Sequence, residues 1–216
     1  MMEKVEKNIS KRKKGIITKN QILETAAQLF ACKGYDNVSI REIAKGVGVK
    51  ESSIYNHFKS KLDILEVLLK EFSVRAPYSR PTYEQLEKMM TVMSLQEILK
   101  NIMFSVGRNI DEILENTVII IQCEKFRKRQ AAEAYYNYLV IEPAIYYQNL
   151  IDMMICKKMI KDKDVQKIIK HYCYTATAVS QEYFMAKHGY GSIEEAVGRM
   201  LETIEFFCNI IEGENN

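Results

Sequence analysis

Two glycines one residue apart, Gly46 and Gly48, interrupt an amphipathic stretch that opens with Ser39-Ile40-Arg41-Glu42. Ser39 and Glu42 form a capping box, in which the hydroxyl accepts from the backbone N–H three residues on and the carboxylate reaches back to the first N–H. Ile40, Ile43, Ala44 and Val47 then share one face, which predicts a helix of about two turns. Gly46-Val47-Gly48-Val49 ends it, because closely spaced glycines weaken helix and permit a tight turn. A further short helix is predicted from about Lys50 to Asn56. Two short helices around a glycine-containing turn make a helix-turn-helix over residues 39–58.

The flanks extend the same pattern. Thr18 with Gln21 reads as a capping box before an apolar stripe of Ile22, Ala26, Leu29 and Phe30, which stops at Gly34. Ser60 with Asp63 opens another helix, carried by Leu62, Leu65, Leu69 and Phe72 to about Arg75. Residues 1–17, with Lys11-Arg12-Lys13-Lys14 and no apolar period, are expected to form a flexible basic arm. Pro77 to Pro81 is the clearest break. Beyond it run amphipathic segments over 83–93, 94–114, 117–140, 143–159, 164–188 and 192–211. Nine Gly, three Pro and eleven Met in 216 residues favour long helices over turn-rich sheets. The expected fold is all-α: an N-terminal three-helix helix-turn-helix domain followed by a larger helical bundle, about nine helices. Its divisions are residues 1–17, 18–62, a connecting helix and linker over 63–81, and 82–216.

The net charge of +3 is unevenly spread, with 15 Lys/Arg against 9 Asp/Glu in residues 1–75 and 16 against 19 in residues 76–216. That imbalance fits a front segment that meets a polyanion and a rear segment that does not. Five cysteines, odd in number and widely spaced in apolar or helical contexts, fit a reducing cytoplasm. No run approaches the roughly 18 apolar residues of a membrane span, so no membrane partner is expected.

A helix opening at Lys50-Glu51-Ser52-Ser53 presents short side chains and free N–H groups where a helix enters the major groove. Tyr55, Asn56 and His57 add hydrogen-bonding groups within a turn, Lys59 and Lys61 follow, and the N–H groups of the helix after Ser60 suit a phosphate. Tyr55 also has a reading as partly core, beside the apolar anchors Ile54 and Phe58. Glu51 would repel phosphate and is excluded from the site.

Residues 18–72 resemble the DNA-binding domain of the TetR family of bacterial regulators, through Gly34-Tyr35, Ser39-Ile40-Arg41-Glu42-Ile43-Ala44, Gly48-Val49 and Ser53-Ile54-Tyr55-Asn56-His57-Phe58-Lys59-Ser60-Lys61. The resemblance implies backbone contacts for Tyr55, His57 and Lys61, and phosphate or base contacts for Ser39 and Arg41. Ser52 and Ser53 stand where the family often has Gly followed by Thr or Asn, and Asn56 stands where a second Tyr is common. The expected DNA-binding set is therefore Ser39, Arg41, Lys50, Ser52, Ser53, Tyr55, Asn56, His57, Lys59 and Lys61.

The segment 82–216 shows no phosphate loop, nucleophile elbow or metal motif; no catalytic residue, metal or cofactor is expected. It is loaded with Tyr, Phe and Met, which either pack as core or line a cavity for a lipophilic or aromatic effector. Phe104, Gln122, Tyr138, Tyr147 and Tyr174 are the candidate ligand residues. Val197, Leu201, Ile204, Cys208 and Ile211 form one stripe that Ala196, Met200 and Phe207 widen, an arc too broad for one partner helix. The resemblance implies a homodimer through the last two long helices, a double-stranded operator, and a ligand-released repressor. The alternatives are an architectural DNA-binding protein of the same fold and an enzyme with its site in the rear bundle.

Overall fold

The computed structural model describes the backbone of residues 2–161 and 165–213, and side chains from residue 18 within those ranges. Among the described residues the regular structure is helical, without strands. The chain divides into two compact units, one formed by Met1–Pro77 with Ile110–Tyr135 and the other by Tyr78–Asn109 with Tyr136–Asn216.

The first unit holds α1 (Met2–Lys33), α2 (Ile40–Val47), α3 (Glu51–Tyr55), α4 (Lys61–Arg75), and then α7 (Glu112–Glu124) and α8 (Arg129–Ala134) from later in the chain. Thr18 was expected to start a helix and instead lies inside α1. The residues before it are rich in Lys, Glu and Ile, with no proline to stop the helix. The basic arm expected over residues 1–17 falls where side chains are outside the described set. Ile22, Phe30, Ile43, Ile54, Phe58 and Ile64 from α1 to α4 are 0–2% exposed and form the centre of this unit. Each such side chain contributes about 1.5–3 kcal/mol by leaving water. Leu62, placed by pattern on the inward stripe of α4, is instead 38% exposed, and Ile64 takes the buried position.

The turn after α2 follows the local chemistry. Gly48 is left-handed at φ 75° and ψ 29°. Its N–H donates to Lys45 O at 3.2 Å and the next, Val49 N–H, to Ala44 O at 2.9 Å. These two bonds close a Schellman motif and satisfy the last carbonyls of α2. Gly46 is needed for a different reason: a Cβ there would stand 2.6 Å from Thr25 Cγ2 of α1, so its absence lets the two helices approach.

The second unit holds α5 (Tyr83–Met89), α6 (Leu95–Asn109), α9 (Glu142–Cys156), α10 (Val165–Lys187) and α11 (Ile193–Gly213). Its core joins Leu86, Ile98, Leu99, Leu150, Ile169 and Ile204. Tyr146, Tyr147, Tyr172 and Phe207 run through it as a chain of edge-on rings with centroids 5.2–5.6 Å apart, which the exposed Tyr83 and Phe206 extend at its two ends. Tilted and edge-on geometry is what aromatic quadrupoles prefer. The Tyr146 hydroxyl donates to Pro81 O at 2.7 Å, the Arg80 guanidinium carbon lies 3.9 Å from the Tyr146 ring centroid, and Arg80 pairs with Glu142. Much of the aromatic loading is therefore core. No helix of the described residues is long and apolar enough to cross a membrane.

Replacing Gly48 by Ala puts a Cβ into a left-handed residue, at a cost of about 1–2 kcal/mol. Denaturant unfolding of G48A should show a lower midpoint with an unchanged slope; a midpoint equal to wild type would refute the role given to this turn.

Candidate nucleic-acid interface

α2 opens at Ser39, in extended conformation, with the capping box complete. Ser39 Oγ accepts from Glu42 N–H at 3.2 Å and donates to Glu42 Oε2 at 3.1 Å, and Glu42 Oε2 accepts from Ser39 N–H at 2.8 Å. Lys33 Nζ donates to the other carboxylate oxygen at 3.0 Å. The Ser39 backbone N–H, then the Lys33 ammonium and the Ser39 hydroxyl, hold the Glu42 carboxyl down to about 2. Arg41, next to this box, is exposed.

α3 is positioned from beneath. Ile54 and Phe58, four residues apart, are 0% and 2% exposed, and the N–H groups of His57 and Phe58 both donate to Ile54 O at 2.9 Å. That anchoring turns Lys50, Ser52, Tyr55, Asn56 and Lys59 to the surface, with Ser53 and His57 half-buried. Tyr55 is 55% exposed, so the reading as partly core gives way to a surface position. The structure thus brings eight of the ten expected residues, from Lys50 through Lys61, to α3 and the start of α4, and the other two, Ser39 and Arg41, to the head of α2.

Lys61 is engaged differently from its neighbours. Its Nζ donates to Tyr35 O at 2.9 Å and Val38 O at 2.8 Å, with Asp36 O at 3.4 Å, and sits 4.3 Å from the Tyr35 ring centroid. The ammonium serves the loop between α1 and α2. The same loop is held from α7 and the segment after it. Glu124, 2% exposed, accepts from Tyr35 N–H at 3.0 Å through Oε1, and its Oε2 is buried with no hydrogen-bond partner among the described residues. Lys128 Nζ meets Asp36 Oδ1 at 2.7 Å, a bond that lowers the Asp36 carboxyl and raises the Lys128 ammonium.

Sequence reasoning overlooked Glu124. A signal existed: Thr117, Val118, Ile120 and Ile121 are buried around it on α7, and a carboxylate on such a face demands a specific donor.

The candidate effector residues are not gathered. Phe104 and Tyr174 are 43% and 59% exposed. Tyr147 is packed between Tyr146 and Tyr172, where burial pushes its hydroxyl up to about 12. Tyr138 is half-buried in a π-helical stretch, Tyr135–Ile141. Gln122 belongs to the first unit, where its Oε1 accepts from Lys125 Nζ at 2.8 Å and its Nε2 is buried with no partner among the described residues. A different set of residues, Tyr78, Arg80, Pro81, Gln85, Lys88, Met89, Asn101, Ser105 and Asn109, lines a cleft of about 420 Å³ in the second unit. Its polar lining gave no apolar or aromatic signal in the sequence.

An anchored short helix with an exposed polar edge, entered through a Schellman turn, defines a helix-turn-helix, and the regular structure of the described residues is all helical. Residues 22–68 match the family model described as bacterial regulatory proteins, tetR family. Over 91 residues it is 36% identical to the probable HTH-type transcriptional regulator YttP of Bacillus subtilis (strain 168), covering 42% of each chain. Over 52 residues it is 44% identical to the biofilm operon icaADBC HTH-type negative transcriptional regulator IcaR of Staphylococcus aureus (strain Newman), covering 24% of this chain and 28% of that one. The matched stretches thus span less than half of those relatives. The crystal structure of a putative TetR-family transcriptional regulator from Mesorhizobium loti MAFF303099 superposes with a TM-score of 0.65 over 91% of this chain and 97% of that one, at 19% identity. The shared fold therefore extends past the reading head.

Two outcomes are expected. Lys61→Met strands the Val38 carbonyl and leaves Tyr35 O only the Val38 N–H at 3.3 Å, and should lower stability by about 1–3 kcal/mol in denaturant unfolding; an unchanged midpoint would remove its structural role. Glu42 has a folded value below its unfolded one, so its stabilisation is present above about pH 4.5 and is lost as pH falls towards about 2. Glu42→Gln should flatten the acid limb of a melting-temperature profile over that window; parallel profiles would contradict the assignment.

Proposed function

We propose that this chain is a sequence-specific DNA-binding transcriptional regulator that acts as a repressor, binding a palindromic operator as a two-fold dimer. The observation that carries the reading is the exposed edge Lys50, Ser52, Tyr55 and Asn56 on a helix fixed by Ile54 and Phe58. Such an edge offers donors and acceptors to base edges and phosphates, while the buried face fixes its register. Ser53 and Asn56 are assigned to base readout. Lys50, Tyr55, His57 and Lys59, with Ser39 and Arg41 at the head of α2, are assigned to the adjoining backbone and bases. Lys61 keeps a supporting place, since its ammonium holds the loop before α2. IcaR is named a negative regulator, which favours repression here over activation.

Dimerisation is assigned to α10 and α11. Tyr174 and Met185 on α10, and Ile193 and Phe206 on α11, are 49–60% exposed, and large apolar groups in such number favour a further partner. Two heads related by a two-fold axis then sit in successive major grooves about 34–36 Å apart, or at a multiple of that spacing. Regulation by a small effector requires only that it bind one of two dimer states better. The cleft beside Arg80 and Lys88, rich in amides and hydroxyls, suits a polar effector better than the lipophilic one expected from aromatic content. Freely dissolved operon control of this kind belongs in the cytoplasm.

Selection of bound sequences from random DNA tests the whole reading. Recovery of a palindrome is the expected outcome; recovery of no consensus would favour an architectural DNA-binding protein. Asn56→Ala or Ser53→Ala should change the consensus at one or a few positions in each half-site, by about 1–3 kcal/mol of discrimination. An unaltered consensus would remove that residue from base readout.

A further inference from the structure

The densest basic run outside the first 17 residues is Lys125-Phe126-Arg127-Lys128-Arg129, which spans the loop after α7 and the first residue of α8. It comes from the half of the chain whose overall balance is acidic, yet it folds into the unit that carries the helix-turn-helix. With residues 110–135 included, that unit holds 19 Lys/Arg against 14 Asp/Glu, and the other unit 12 against 14. We infer that this loop is a second DNA contact, in which Lys125 and Arg127 bind phosphates flanking the sequence read by α3. The inference rests on the regulator reading given above.

Position supports it first. Lys61 and Lys128 stand over one Tyr35 ring, at 4.3 and 5.0 Å from its centroid, so the two ammonium groups are at most 9.3 Å apart. Lys61 opens α4, two residues past Lys59. Asp36, the ion-pair partner of Lys128, precedes the N-cap Ser39 by three residues, at most about 11 Å of chain. The loop therefore lies at the end of the unit that also presents the heads of α2 and α4, the same end assigned to phosphate.

Charge supports it second, and the acidic neighbours decide which residues serve. Lys128 is committed to Asp36 and Arg129 to Glu133 at 2.8 Å. Glu66 accepts from Gln130 Nε2 at 3.3 Å, and Glu124 is turned inward to Tyr35. Lys125 donates to the neutral Gln122 amide and faces the rings of Phe126 and Tyr135. Arg127 is exposed and has no ion pair among the described residues. Neither of these two side chains is closed in an ion pair among the described residues, so both are open to an outside anion. Duplex DNA, with one negative charge for about every 1.7 Å of axis, is the polyanion this unit already meets.

The test uses the full-length chain and a duplex carrying the selected operator with several flanking base pairs. Each phosphate contact adds roughly 0.9 to the magnitude of the slope of log K against log salt, so Lys125→Gln/Arg127→Gln should lower it by about 1.8 per protomer. Arg127→Gln, which disturbs no packed side chain, should lower it by about 0.9. Both should leave the consensus unchanged, and hydroxyl-radical protection should shrink at the flanks. A slope equal to wild type in the single and the double variant, both melting as wild type does, overturns the inference and leaves the loop to an acidic protein partner. Wild type that fails to bind any duplex overturns the regulator reading along with it.

Discussion

The five residues Gly34 to Val38, between α1 and the N-cap of α2, are where the helix-turn-helix is fixed in place. Tyr35 and Val38 are buried, yet Gly34 to Val38 form no helix that could satisfy their own backbone groups, and buried N–H and C=O groups must be paired. Gly34 N–H donates to Phe30 O and Val38 N–H to Tyr35 O, and two charged side chains supply the remaining pairs. The ammonium of Lys61, opening α4, takes the carbonyls of Tyr35 and Val38, and the carboxylate of Glu124, ending α7, takes the Tyr35 N–H. Charge-assisted bonds of this sort are stronger than neutral ones. Because Ser39 follows at once and caps α2, the loop sets where α2 begins, and the Schellman turn then sets where α3 begins.

The local parts of this arrangement were legible in the residues. Ser39 with Glu42, Gly48, and Ser60 are short-range devices whose partners lie within four residues, so pattern alone locates them. The burial of Ile54 and Phe58 was likewise readable from spacing. Lys61 was not: a lysine beside a helix start has the same sequence signature whether its ammonium faces a phosphate or the carbonyls of a loop 23 and 26 residues away. Glu124 reaches 89 residues back, a separation at which no periodicity speaks. Thr18 failed for the opposite reason, since a good capping sequence does not start a helix when the residues before it are already helical.

In the second unit the difficulty was one of chemistry rather than distance. Tyrosine serves core and cavity equally well, and Tyr146, Tyr147 and Tyr172 became core because each ring found another at 5.2–5.6 Å. The polar tips were then accommodated individually, the Tyr146 hydroxyl by Pro81 O. Arg80 covers the same ring while pairing with Glu142, so a single guanidinium ties the segment before α5 to the start of α9. The cleft beside it inherits amides and hydroxyls that no hydropathy pattern marks.

Glu124 also bears on how far the head is a separable cassette. A fragment ending at Pro77 would contain the residues assigned to base readout on α3, yet it would lack α7, α8 and the basic loop that joins them. Tyr35 N–H would lose its acceptor, and α1 and α4 would lose the packing of α7, whose Ile120 and Ile121 are 0% exposed. Grafting this head onto another protein, by recombination or by design, therefore means moving two stretches of chain together or repacking the seam between them.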